Sequence, residues 1–126
     1  MIIIYLNPNQ SQKKQNEKLN EMLYLIEFYH FGDVTVVTDK SLHVIRDIVS
    51  LYKPYQFSVY SVHEFDSSPT MVSELILYMV NKLDITFTSI DDKLYFDQDN
   101  ILEIYPKVFK QFKNKSSAQQ YLCKII

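Results

Sequence analysis

Short β-branched or apolar runs alternate along this chain with longer amphipathic stretches, and this alternation limits the fold more than any other feature. Four runs are predicted strands: residues 2–6, 34–37, 57–62 and 85–89. Between them, apolar residues recur at helical spacing, and the first two helical stretches stop before Gly32 and before Pro54. A strand–helix repeat of this kind is typical of a largely parallel sheet covered by helices.

The C-terminal third has a different character. Acidic residues open a helical stretch at position 97 and lysines close it at position 113, an order that suits the helix dipole. Pro106 lies inside this stretch, so it should kink the helix unless the helix begins close to it. Ser116 or Ser117 can cap a last short helix over residues 118–126.

These patterns together predict a single-domain α/β fold of three layers. Residues 1–96 form its core, a mostly parallel sheet of four to five strands flanked by helices, with residues 93–96 as a short edge strand. Residues 97–126 form a C-terminal helical extension that packs on the core or dimerises it. The 47% hydrophobic content of the 126 residues is enough for one real core.

Composition excludes several classes of function. A net charge of −2 gives no overall attraction to nucleic acid. The single cysteine, Cys123, has no partner for an internal disulfide, and the absence of a long apolar run predicts a cytoplasmic protein without a membrane span. No glycine follows Gly32, which excludes glycine-rich phosphate loops. Abundant Asn, Lys, Ile and Tyr are typical of an AT-rich genome or a mobile element such as a phage.

Three segments carry a resemblance to a known family. The first strand runs into the polar loop 7–12, the third runs into residues 63–68, and the fourth ends in Ser89-Ile90-Asp91-Asp92. Their order and spacing over residues 2–92 resemble the catalytic domain of the serine recombinases, the resolvase and invertase family, whose Ser-x-x-Glu turn the last segment looks like. The resemblance implies a resolvase-like sheet and a role in DNA recombination.

The family's first strand ends in Tyr-x-Arg-x-Ser, where the serine attacks a DNA phosphate and the arginine helps to hold it. Tyr5 matches this motif, but Asn7 stands at the arginine and Asn9 at the serine. An amide cannot become the alkoxide nucleophile that covalent catalysis requires. The resemblance therefore implies a protein without the family's nucleophile.

The family's other arginines are also replaced. Its Asp-Arg-Leu-x-Arg motif falls on residues 63–67, so that Glu64 and Ser67 stand at the two arginines. A further family arginine falls near Ser41, and Arg46, the single arginine among the 13 basic residues, lies more than one turn inside the second helix. Because phosphoryl transfer needs clustered guanidinium groups, the resemblance implies a pseudoenzyme. The three histidines and Cys123 show no metal-ligand spacing, so we expect no metal and no cofactor.

A protein interface is the function that the resemblance favours. In the family the helix after the fourth strand is the dimerisation element, and Tyr and Phe are favoured at interfaces. The resemblance therefore points to the apolar residues of the C-terminal stretch as interface candidates: Ile101, Tyr105, Val108, Phe109 and Phe112. The implied partner is a second copy of the chain, or a recombinase-like or regulatory protein.

Two other functions stay open. The first is a small α/β enzyme that uses the loops at Asn9 and at His63–Asp66, since catalytic groups often follow strands in such sheets. The second is a weak, non-specific DNA-binding accessory protein whose lysines contact phosphates: Lys13, Lys14, Lys107, Lys110 and Lys113. The alternative interpretation of these lysines is an ordinary solvated helix surface.

Overall fold

The computed structural model describes residues 1–29, 33–38 and 41–113. The predicted last helix (118–126), its caps Ser116 and Ser117, and Cys123 lie outside the described residues.

The strands and helices follow the order that the sequence predicts. The strands are β1 (Ile2–Tyr5), β2 (Val34–Val37), β3 (Gln56–Val59), β4 (Thr86–Ser89) and β5 (Leu94–Phe96). The helices are α1 (Gln12–Tyr29), α2 (Leu42–Tyr52), α3 (Pro69–Leu77) and α4 (residues 104–113). Two 3₁₀ turns, Val62–Phe65 and Gln98–Glu103, and one π-helical turn, Tyr78–Lys82, join them.

The five strands form one sheet in the order β2-β1-β3-β4-β5. The first four strands are parallel, and β5 pairs antiparallel with β4 at the edge. Alternate residues of β1 point to opposite faces, so Ile2 and Ile4 pack with Met22 of α1 while Ile3 and Tyr5 join the core under the other helices. Both faces of β1 are therefore covered, and the predicted three-layer, mostly parallel α/β fold is confirmed.

The larger core lies between the sheet and helices α2, α3 and α4. Its centre is a row of aromatic rings across neighbouring strands, in which Phe57 stacks with Phe87 at 6.2 Å and Phe87 with Phe96 at 6.2 Å between ring centroids. Ile104 and Val108 of α4 are fully buried in the same cluster. The C-terminal extension, as far as residue 113, therefore packs on the chain's own core.

Two boundaries differ from the sequence expectation by more than one residue. The third strand ends at Val59, because the chain turns there into the 3₁₀ turn that begins at Val62. The C-terminal stretch is split: Gln98–Glu103 is a 3₁₀ turn, and α4 begins at residue 104, which places Pro106 in its first turn, where proline is tolerated. Ser68 caps α3 by accepting a hydrogen bond from the Met71 amide at 3.2 Å.

Ser73 provides a direct test of this core. Its side chain in α3 is fully buried, and its hydroxyl has no hydrogen-bond partner among the described residues. A buried hydroxyl without a partner is unfavourable, so we expect Ser73→Ala to leave the free energy of unfolding within about 0.5 kcal/mol of wild type or to raise it. Urea denaturation measures the change.

Ser89 is the matched control for Ser73, because it is equally buried but donates a hydrogen bond to Asp92 Oδ2 at 2.7 Å. Ser89→Ala should cost about 1–2 kcal/mol. An equal loss of stability in the two variants would contradict the assignment.

Candidate functional site

The strand order reverses direction between β1 and β3. The chain first moves from β1 to β2 on one side, and then crosses over to β3 on the other side of β1. In open α/β sheets, ligands bind beyond the carboxyl ends of the strands at such a switch point, because the loops there diverge to opposite faces. The loop after β1 and the turn after β3, the two segments singled out in the sequence, meet at this point.

Asp66 joins the two loops. Its carboxylate oxygen Oδ2 accepts hydrogen bonds from the side-chain amides of Asn7 at 2.8 Å and of Asn9 at 3.2 Å. Asn7 Oδ1 accepts in turn from the Asn9 backbone N–H at 2.8 Å. Asp66 has a left-handed backbone (φ 49°), which aspartate tolerates better than most residues. The side chains of Asn7 and Asn9 are thus bonded to a carboxylate of the chain itself.

An internal ion pair lies beside this carboxylate. The Lys18 ammonium, one turn after Lys14 on α1, contacts Glu64 Oε1 and donates a hydrogen bond to Gln10 Oε1 at 2.9 Å. Glu64 is 5% exposed, and its second oxygen, Oε2, has no hydrogen-bond partner within the described part of the chain. The positive charge of Lys18 is therefore neutralised by Glu64.

Tyr60 lies against the same lysine. The Lys18 ammonium is 5.0 Å from the centroid of its ring, within the range of a cation–π contact. Burial raises the pKa of the Tyr60 hydroxyl, and the negative charges of Asp91, Glu21 and Glu64 raise this pKa further. Tyr60 therefore stays neutral at physiological pH.

A second cluster of polar side chains lies at the carboxyl ends of β3 and β4. Asp92 Oδ2 accepts hydrogen bonds from the Ser89 hydroxyl at 2.7 Å, the Val62 backbone N–H at 2.9 Å and the Ser61 hydroxyl at 3.1 Å. Ser61 and Ser89 are both buried. One carboxylate therefore joins the end of β4 to the segment that follows β3, and both serine hydroxyls donate to it.

The remaining residues of the predicted site lie at helix starts and turns. Ser41 precedes the first residue of α2, and its carbonyl accepts the Ile45 amide at 3.0 Å. Ser67 lies between Asp66 and the α3 cap. The His63 ring packs against Phe112 of α4, with 4.7 Å between centroids. The structure thus brings together Asn7, Asn9 and Asp66, and pairs Glu64 with a lysine.

The interface candidates fall into two groups. Val108 is fully buried in the core, and Ile101 and Phe112 are half-buried against it. Tyr105 and Phe109 are 37% and 41% exposed, and their rings stack at 6.2 Å. Leu102, which the sequence analysis did not select, is 92% exposed. Its position three residues before Tyr105 is the signal that could have found it.

The candidate phosphate-binding lysines lie on two helices. Lys13 and Lys14 are exposed in the first turn of α1, and Lys110 and Lys113 are exposed near the described end of α4. Lys107 is exposed and pairs with Glu103 one turn earlier, with 3.5 Å between Nζ and Oε1. Lysines 115 and 124 lie outside the described residues.

Two features are absent from the described residues. Residues 1–29, 33–38 and 41–113 contain no group of three or more His, Cys, Asp or Glu side chains placed to hold a metal ion. In the same ranges no helix is both long enough and apolar enough to cross a membrane.

Comparison with known proteins adds no family to this description. No protein-family model matches the chain, and a search of curated proteins gives no match.

Proposed function

We propose that this chain is a catalytically inactive, serine-recombinase-like protein of a mobile element or phage, and that it acts in the cytoplasm through protein association. The observation that carries the proposal is that the polar side chains at the switch point are bonded to one another. Asn9, at the family's nucleophile position, donates its amide to Asp66, and Glu64, at an arginine position, pairs with Lys18. A phosphate that approached this point would meet two carboxylates and one neutralised ammonium.

The hydrogen bond from Ser89 to Asp92 supports the resemblance. These two residues stand where the family's Ser-x-x-Glu turn would have its serine and its acid, and they are in direct contact at 2.7 Å. The same bond, together with those from Ser61 and Val62, links the ends of neighbouring strands. This turn therefore has a structural role that does not need catalysis.

The surface that supports association is defined by Leu102, Tyr105 and Phe109, which we call the α4 stripe. Stacked aromatic rings beside an almost fully exposed leucine are unfavourable in water and suit the centre of an interface. The charge order along this segment favours a second copy of the chain as the partner. Acidic residues begin it and lysines end it, so two copies packed antiparallel bring each acidic end to a basic end.

The test is a triple variant of the α4 stripe, Leu102→Ser, Tyr105→Ser and Phe109→Ser. We expect wild type to form a dimer whose dissociation constant rises by at least about a hundredfold in the variant, because hot-spot residues at an interface contribute about 2 kcal/mol or more each. Light scattering over a concentration series measures the mass.

The matched control is Leu51→Ser with Tyr52→Ser, two residues of α2 that are 75% and 58% exposed. This control should dimerise as wild type does. Equal dimerisation of the stripe variant and the control, with thermal unfolding showing that both are folded, would exclude the α4 stripe as the interface.

A further inference from the structure

A second surface site, unrelated to the switch point, lies between the first turns of α2 and α3. It is a groove of about 150 Å³ lined by three charged or titratable and three apolar side chains: Leu42, His43, Arg46, Met71, Glu74 and Leu75. A cavity of roughly this volume holds a small organic molecule such as benzene, so the groove has the size for a small metabolite. Nothing in the proposed function uses this groove.

The Arg46 side chain is held in place by its contact with Tyr78. Its guanidinium carbon lies 4.0 Å from the centroid of the Tyr78 ring, a close cation–π contact. The Tyr78 hydroxyl is 2.7 Å from the Ser50 hydroxyl, which also donates to the Arg46 carbonyl at 2.7 Å. Tyr78 begins the π-helical turn after α3, and such turns frequently occur at functional sites. The side chain is therefore oriented before any ligand arrives.

The two charged groups that line the groove, Arg46 and Glu74, form no ion pair among the described residues. The ion pairs of the described residues are Lys18 with Glu64 and Lys107 with Glu103, so neither Arg46 nor Glu74 has an oppositely charged partner among those residues. Both are exposed, and they line the same groove from different helices. A ligand that satisfies both must present an anion to α2 and a cation to α3.

We infer that this groove binds a small zwitterion with an apolar side chain, that is, a free apolar α-amino acid. The carboxylate of the ligand accepts hydrogen bonds from the Arg46 guanidinium, whose planar fork matches a carboxylate. Its ammonium group pairs with the Glu74 carboxylate. Its side chain packs on Met71, which is 54% exposed, and on Leu42 and Leu75. This site is independent of the proposed association through α4.

The test is a titration of the full chain with L-leucine, in which binding is measured by isothermal calorimetry and by the NMR shifts of groove residues. Two analogues test the two charged groups of the ligand separately: 4-methylpentanoate lacks the ammonium group, and 3-methylbutylamine lacks the carboxylate. We expect leucine to bind saturably. Either analogue should bind at least roughly tenfold more weakly than leucine, because each loses a charged hydrogen bond.

Variants of the protein complete the test. Arg46→Gln and Glu74→Gln should each weaken leucine binding roughly tenfold or more. Glu21→Gln and Lys82→Gln, exposed charged residues outside the groove, should leave it unchanged. The proposal is overturned if leucine does not saturate, if 4-methylpentanoate binds as tightly as leucine, or if both groove variants, folded by thermal denaturation, bind as wild type does.

Discussion

Replacing Asp92 by alanine should lower the free energy of unfolding by about 3 kcal/mol. The substitution removes the acceptor of three donors at the ends of β3 and β4: the hydroxyls of Ser61 and Ser89 and the backbone N–H of Val62. A buried donor left without a partner costs about 1–3 kcal/mol, and part of this cost is recovered as the hydroxyls rotate. Urea denaturation followed by circular dichroism measures the loss.

The neighbouring residue gives the control for this prediction. Asp91 is exposed, and its backbone N–H, which a substitution retains, donates to the Tyr60 carbonyl at 2.7 Å. Asp91→Ala should therefore change stability by no more than about 0.5 kcal/mol. If the two alanine variants were equally stable, Asp92 would not be the link between these strands.

A second large effect is expected at the switch point. Lys18→Met removes the ammonium group that pairs with Glu64 and leaves that carboxylate buried without an opposite charge. Loss of one partner of a buried pair costs about 3–5 kcal/mol, and we expect about 3 kcal/mol because the Lys18 side chain is 21% exposed. Thermal and urea unfolding of the single variant test this value.

Two further variants show whether the loss comes from the charge. The double variant Lys18→Met with Glu64→Leu removes both charges and should regain wild-type stability to within about 1 kcal/mol. Lys14→Met, one turn earlier on α1 and exposed, should have almost no effect. A double variant less stable than Lys18→Met alone would mean that Glu64 contributes through contacts other than this ion pair.

The sheet could be predicted from the sequence because its strands are short apolar runs with clear ends. Val34–Val37 is one such run, and Pro69 after a serine predicts the start of α3. The contacts between side chains were harder to predict from the sequence. Lys18 could be assigned to a lysine cluster, but its contact with Glu64 joins residues 46 positions apart and depends on the crossover of the chain. No local pattern contains this information.

Asp92 illustrates the same limit. A carboxylate within an acidic segment is usually exposed to water, and yet Asp92 accepts one backbone and two side-chain hydrogen bonds. The serine three residues earlier is a local signal for one of these bonds. The other two arise from residues after β3, which the parallel pairing of β3 with β4 brings to the same end of the sheet.

The resemblance to serine recombinases and the internal hydrogen bonds at the switch point support the proposal that the chain works by association rather than by chemistry. Sedimentation equilibrium of the wild-type chain at physiological salt tests this proposal most directly. We expect a concentration-dependent species of twice the 15.0 kDa chain mass, held by the α4 stripe. A strict monomer of 15.0 kDa at the highest concentrations would contradict self-association through this surface.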